Sequence, residues 1–314
     1  MLVLRALGLG DFLTAVPALR ALADAFPEHE LQLAAPACLR PLVRLARAAD
    51  EVVPARPLAP LPPSLAEPDV AVNLHGRGPE SHRVLTALRP GRLLAFAHPD
   101  VPESAGGPPW RAEEHETRRW CRLLGSSGIP ADPSRIDIPR PDVGAPDFAR
   151  GATLVHPGAA SAARRWPAER FAAVARAERE KGRTVIVSGD PAERPLALRV
   201  AEAAGLPPEH VLAGETDFLR LTRLVAAAGR VVCGDTGVAH LATAFATPSV
   251  VLFGPTPPSL WGPPPGRSWH RVLWAGGRGD PHAATTDTGL LEIGVDDVLE
   301  ALAELDRQGA EVTA

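Results

Sequence analysis

Tyrosine is absent from the 314 residues, and Lys181 is the only lysine. The cation count of 33 is therefore carried almost wholly by arginine, and with 35 prolines it reflects a GC-rich coding sequence more than a function. There are three cysteines, Cys38, Cys121 and Cys233, odd in number and far apart, two of them in apolar settings. That excludes a disulfide framework and a cysteine-based zinc site, and it fits reduced thiols in a cytoplasmic protein. Excess positive charge is also missing: a net charge of −4 gives no electrostatic case for nucleic acid or for an anionic membrane surface. No apolar run is long enough to span a bilayer, and the apolar start at 1–4 is cut short by Arg5, too soon for a signal peptide. The expectation is a soluble protein without an integral membrane segment, free to visit a membrane face. P-loop, nucleophile elbow and Cys/His cluster are absent, and His75 and His82 are too isolated to suggest a metal.

The pattern that is present is alternation. Short buried runs at 2–4, 31–34, 51–53, 69–74 and 92–96 read as strands, with helical spacing at 12–26, 39–47 and 113–124. Proline-rich 54–68 and 98–110 read as irregular surface connections, and the later part of 130–150 as an interdomain linker. Alternation resumes with strands at 153–156, 184–187, 211–212, 231–233, 249–253 and 271–274. Helices are expected at 167–180, 191–204, 217–228, 238–245 and 295–305. Strand–helix alternation predicts parallel sheets, hence an α/β fold with two separately wound domains. The boundary is placed between 145 and 146, and the helix at 295–305 is free to pack back on the first domain.

The densest stretch is 231–256, VVCGDTGVAHLATAFATPSVVLFGPT. Strand, glycine turn, helix and strand form a βαβ unit whose helix opens where the first strand ends. Unpaired N–H groups and the helix dipole favour an anion there, typically phosphate. Asp235, Thr236 and His240 surround that opening, although an Asp/Thr helix cap and a packed histidine would produce the same residues. Gly8-Leu9-Gly10 follows the first strand, but position 13 is leucine where a dinucleotide fingerprint needs its third glycine. Asp11 stands beside that turn, either as a helix cap or as a general base. Residues 156–167, HPGAASAARRWP, place small residues and the Arg164-Arg165 pair at a strand end, suited to phosphate oxygens or to an exposed basic turn. Asp190-Pro191-Ala192-Glu193 reads as a capping box, which accounts for Glu193 locally.

Taken in order, LGLGDFLTAVPALRAL, LHGRG, HPG…RRWPAERFA, SGDPAER and GDTGVAHLATAFATPSVVLFGPT resemble the bacterial family 9 glycosyltransferases, the heptosyltransferase-like group, from about residue 1 to 260. The resemblance implies a GT-B fold, two Rossmann-like domains facing a central cleft, with acceptor on the first and sugar nucleotide on the second. It implies inverting, metal-independent transfer without a cofactor, usually from ADP-heptose. Asp11 then matches the catalytic base. Arg164 stands where the family usually has a diphosphate-binding lysine, a planar fork in place of a point cation. Glu193 falls at the ribose, Thr216 near the nucleobase, Asp235 and His240 at sugar hydroxyls, and the Thr236 and Gly237 amides at the phosphates.

On that reading His75 and Arg77 face the acceptor, with Arg83 a further cation and Asn73 where many relatives carry Asp. Lipopolysaccharide core is the family's usual acceptor; another glycan, a lipid-linked acceptor or a secondary metabolite fits a source without an outer membrane. Displacing a diphosphate builds charge on the leaving group, which a helix tip and Arg164 can stabilise, and domain closure is the expected gate. Three other readings stand beside it. A sugar-nucleotide epimerase or hydrolase uses the same fold without an acceptor, a non-catalytic nucleotide-sugar-binding protein needs no base, and a nicotinamide enzyme lacks its third glycine here.

Overall fold

The computed structural model describes residues 1–141 and 144–313. Two compact units, Met1–Ile138 and Pro139–Ala314, divide the chain. The break falls ahead of the expected 145/146 boundary, and residues 142–143 of the expected linker lie outside the described residues.

The first unit runs β1 (Leu2–Leu4), α1 (Leu9–Ala25), β2 (Gln32–Ala35), α2 (Arg40–Ala46), β3 (Glu51–Pro54), β4 (Val70–Asn73), α3 (Glu80–Thr86), β5 (Arg92–Leu94) and α4 (Glu116–Gly125). Its five strands are parallel in the order β3-β2-β1-β4-β5. The short apolar strand β1 is central because Leu2, Val3 and Leu4 have no polar side chain to keep in water, and all three are buried. Helix α1 begins at Leu9, earlier than its periodicity suggests, and runs through Pro17. The short helix α3 was not legible as periodicity.

The second unit runs β6 (Thr153–His156), α5 (Ala168–Glu180), β7 (Val185–Val187), α6 (Arg194–Ala204), α7 (Phe218–Ala227), β8 (Arg230–Gly234), α8 (Gly237–Ala244), β9 (Ser249–Phe253), α9 (Pro258–Trp261), β10 (His270–Trp274), α10 (Thr288–Glu292) and α11 (Val295–Thr313). Its five strands are also parallel, in the order β10-β9-β8-β6-β7. The expected strand at 211–212 reduces to a bridge between Val211 and Val187. Val155, Val187, Val232 and Val250 from the sheet meet Phe171, Val174 and Ala175 of α5 in one core. The apolar stripe of α11, Val298, Ala301, Leu302 and Leu305, is spent in that same core.

Each sheet has one place where the chain changes direction. It winds outward from β1 to β3 and then returns to β4 on the other side of β1; likewise it leaves β6 for β7 and returns to β8 on β6's other side. The loops after such a strand pair part from each other and open a crevice at the carboxyl ends, the usual ligand position in wound α/β sheets. At the opposite end of the second sheet lies an ionic lattice. The fully buried Glu178 accepts from Thr153 Oγ1 at 2.8 Å and faces Arg183 and Arg230, both of which also reach Asp306 of α11.

Candidate active site

In the first unit the β1/β4 crevice is organised by Arg5, the residue directly after β1. A charge there is costly to bury unless paired, and Arg5 is 1% exposed with every part of its guanidinium engaged. Nε donates to the Asp11 carbonyl at 2.9 Å and Nη1 to the Leu74 carbonyl. Nη2 faces Glu116 Oε1 at 3.0 Å, Thr14 Oγ1 at 3.2 Å and Asp11 Oδ1 at 3.4 Å. The guanidinium also lies over Trp120, 4.7 Å from the ring centroid. Glu116 is committed in turn: Oε1 accepts from Trp120 Nε1 at 3.0 Å, and Oε2 pairs with Arg119.

Asp11 does not cap its helix. Gly8 occupies the cap with no side-chain bond, and Asp11 sits inside the first turn with its carboxylate 30% exposed. Burial raises its pKa above the ordinary carboxylate range and Glu116 adds to this, while Arg5 and the Gly8 and Asp11 amides oppose it. His75 follows Leu74 at the end of β4, its N–H bound to Asn73 Oδ1 at 2.8 Å. Burial, seconded by Arg5, pushes its pKa down to about 4, so its ring is neutral at physiological pH, and its Nδ1 is buried without a partner. Asn73 also donates to Ser81 and faces His82 Nδ1 at 2.8 Å, with His82 Nε2 on the Phe96 carbonyl, which fixes the start of the His75 loop. Asp11 and His75 thus share one crevice around Arg5, while Arg77 lies exposed further along the loop.

In the second unit the crevice lies between the loops after β6 and β8. The β6 loop runs from His156 to Trp166, whose indole is buried and donates to the Ile293 carbonyl at 3.0 Å, anchoring the loop's far end. Of the two arginines, Arg165 turns outward and Arg164 turns in, donating to the Asp235 carbonyl at 3.2 Å. Gly234 makes this possible, since a Cβ there would come within 3.0 Å of the Arg164 carbonyl. Arg164 Nε is buried with no partner.

Thr236 is the cap residue of α8 in extended conformation and its hydroxyl makes no capping bond; the Ala239 N–H is taken by the Thr236 carbonyl at 3.1 Å, and the Gly237 and Val238 N–H groups receive nothing from the cap side chain. Asp235 is 8% exposed; burial lifts its pKa to about 6, and Arg164 only partly offsets this. Of the two readings the sequence left open for these residues, the Thr236 side-chain cap is not formed. His240 lies one turn along α8 with its ring edge-on to Trp261, centroids 5.9 Å apart.

A second cluster lies toward β7. The Asp190 and Glu193 side chains bond each other's backbone N–H at 2.8 and 2.9 Å, the reciprocal pair the sequence suggests, although the regular helix starts only at Arg194. Glu193 Oε2 is 3.9 Å from His156 Nε2, and His156 Nδ1 is 3.1 Å from Ser188 Oγ. Gly158 leaves room for the Glu193 carboxyl, which a Cβ at that position would displace. Arg194 holds the Ala213 carbonyl at 2.6 Å and Glu215 at 3.1 Å, which fastens the loop carrying Thr216 beside the start of α6. Asp217, next to Thr216, takes the cap of α7.

Sequence reasoning passed over Arg5 and Glu116; it placed His156 and Gly158 in the candidate loop but did not foresee that both face Glu193. The available signal for Arg5 was a charge placed directly after a buried strand; for Glu116 it was the Glu–Trp spacing that puts both on one face of α4.

Two wound parallel-sheet domains of this kind define the GT-B fold. The E. coli ADP-heptose LPS heptosyltransferase II matches over 98% of this chain and 99% of its own, at 23% identity and a TM-score of 0.75. E. coli heptosyltransferase WaaC, solved with ADP, matches over 97% and 99% at 18% identity and a TM-score of 0.71. The pattern of glycosyltransferase family 9 (heptosyltransferase) fits residues 94–276, more than half of the sequence: the chain belongs to glycosyltransferase family 9. Among curated proteins, the lipopolysaccharide core heptosyltransferase OpsX of Haemophilus influenzae is 31% identical over 109 residues, 34% of this chain and 31% of that protein. The chain spans about a third of the length of the curated relatives it matches. The family match takes in Arg164, Glu193, Thr216 and the 235–240 segment; Asp11, His75 and Arg77 lie ahead of it.

Proposed function

We propose that the protein is an inverting, metal-independent glycosyltransferase that moves a sugar, heptose in the first instance, from an ADP-sugar to a hydroxyl acceptor. The observation that carries this reading is Arg164 fixed on the Asp235 carbonyl at 3.2 Å beside the N-terminus of α8, its Nε still unpartnered. A diphosphate leaving group gains negative charge as the glycosidic bond breaks. A guanidinium and a helix N-terminus held in place beforehand stabilise that charge without reorganising. Asp235 and His240 serve the sugar hydroxyls, Glu193 the ribose and Thr216 the base; the WaaC structure solved with ADP supports an adenine nucleotide as the donor's carrier.

Asp11 takes the acceptor proton. Its raised pKa makes it a stronger base than an exposed carboxylate, and its partial exposure leaves it within reach of a substrate hydroxyl. His75, neutral, and Arg77, exposed, serve a glycan or lipid-linked acceptor of the kind named for the relatives; no helix among the described residues is long and apolar enough to cross a membrane. The test is to incubate the protein with ADP-heptose and candidate acceptors in EDTA and read the anomeric configuration of the product by NMR. Inverted glycoside formed at full rate in the chelator is expected. Free heptose or an epimer produced without acceptor would establish hydrolysis or epimerisation instead.

A further inference from the structure

The Asp11 carboxylate receives the longest of the three contacts made by Arg5 Nη2, 3.4 Å against 3.0 Å to Glu116 and 3.2 Å to Thr14. Two N–H bonds on that nitrogen cannot serve three acceptors fully, so the acceptors compete. Glu116 is placed to win: it sits 5% exposed on α4, held by Trp120 and Arg119 as well as by Arg5. Asp11 is tied to the same guanidinium more firmly by its backbone, through the 2.9 Å bond from Nε to its carbonyl.

We infer that Arg5 and Glu116 act as a pair of positioning residues for Asp11: Arg5 orients the turn that carries the carboxylate, and Glu116 occupies the guanidinium so that the carboxylate is not locked against it. An Asp closed into a full ion pair with Arg is a poor proton acceptor, because the pair must be broken or left less favourable when the proton arrives. The arrangement instead leaves the carboxylate oriented and free to take a proton. It rests on the assignment of Asp11 as base. The groups facing Asp11 come from three further elements: Arg5 after β1, Glu116 and behind it Arg119 on α4, and the neutral His75 after β4.

Glu116→Gln keeps the shape and the acceptor for Trp120 while removing the charge. With the competitor weakened, Arg5 turns toward Asp11 and the carboxylate becomes more acidic. Carbon-13 NMR titration of the Asp11 carboxyl, assigned by its loss in Asp11→Asn, should show the midpoint falling by about half a pH unit or more. The acid limb of kcat/KM should move the same way. An unchanged midpoint in a folded Glu116→Gln protein would overturn the inference. Arg5→Lys keeps the charge and loses the fork, and is expected to lower kcat by roughly 10-fold or more with ADP affinity unaltered. Wild-type kcat in that variant would also overturn it. Full turnover by Asp11→Asn would sink the base assignment instead, a result the titration of Glu116→Gln does not depend on.

Discussion

The two domains share a winding scheme and treat the charges at their crevices differently, although His75 Nδ1 in the first, like Arg164 Nε in the second, is buried without a partner. In the first, the charges at the crevice satisfy one another: Arg5 spans Asp11, Thr14, Leu74 and Glu116, and Glu116 is completed by Trp120 and Arg119. In the second, polar atoms at the crevice are left open: Arg164 Nε has no partner, the α8 side-chain cap is unmade, and Asp235 is buried with only partial compensation. Self-satisfied charge holds a reactive group still; unsatisfied charge waits for a ligand. A base needs the first arrangement, and a diphosphate needs the second.

The sharpest way to break this contrast is to swap expected roles. Asp11→Ala should cut turnover by roughly 100- to 10,000-fold while ADP affinity by calorimetry stays at the wild-type value. A comparable loss of ADP binding would place Asp11 on the donor side and dissolve the distinction. Arg164→Ala should do the reverse, weakening ADP by about 10- to 100-fold through the loss of a charge-assisted contact and leaving the Asp11 titration unmoved. Arg164→Lys should recover part of that affinity, the charge being kept and the fork lost.

Asp235 sharpens the comparison through pH. Its folded pKa of about 6 lies above the ordinary 3.8, so the folded state holds the extra proton and stability falls as pH rises between those values. Asp235→Asn removes that cost, and in urea melts it should gain on the order of 1–3 kcal/mol relative to wild type at pH 8, with the gain shrinking at pH 4. A gain equal at both pH values would mean that burial of the charge is not its source. The smallest effect is expected from Gly158→Ala. The new methyl displaces the Glu193 carboxyl, and the lost pairing with Asp190 should lower stability by roughly 1–2 kcal/mol while reducing nucleotide affinity. Unchanged affinity would remove Glu193 from the donor side.

Strand–helix alternation was enough to place two parallel sheets, because fully buried strands such as residues 231–233 and 249–253 are written as unbroken apolar runs. What periodicity missed were short or capped pieces: α3 spans two turns at most, and the 191–193 turn forms its reciprocal bonds without yet being helix. The second domain's site was the more legible, since Gly234, Asp235, Thr236 and His240 fall within one short segment. The first domain's was not. Arg5 and Glu116 lie 111 positions apart, and only the folded sheet brings α4 against the end of β1. Asp11 was legible as a residue of interest, but not the reason it declines its helix cap, which is that the cap falls on Gly8.

The ionic lattice around Glu178 stands at the amino ends of β6 and β8, while Arg164 and Asp235 stand beyond their carboxyl ends. The second domain is thus anchored at one pole and receptive at the other. Selection for heat or salt tolerance can rework Arg183, Arg230 and Asp306 without retuning what the opposite rim recognises, and drift at the rim costs the anchor nothing.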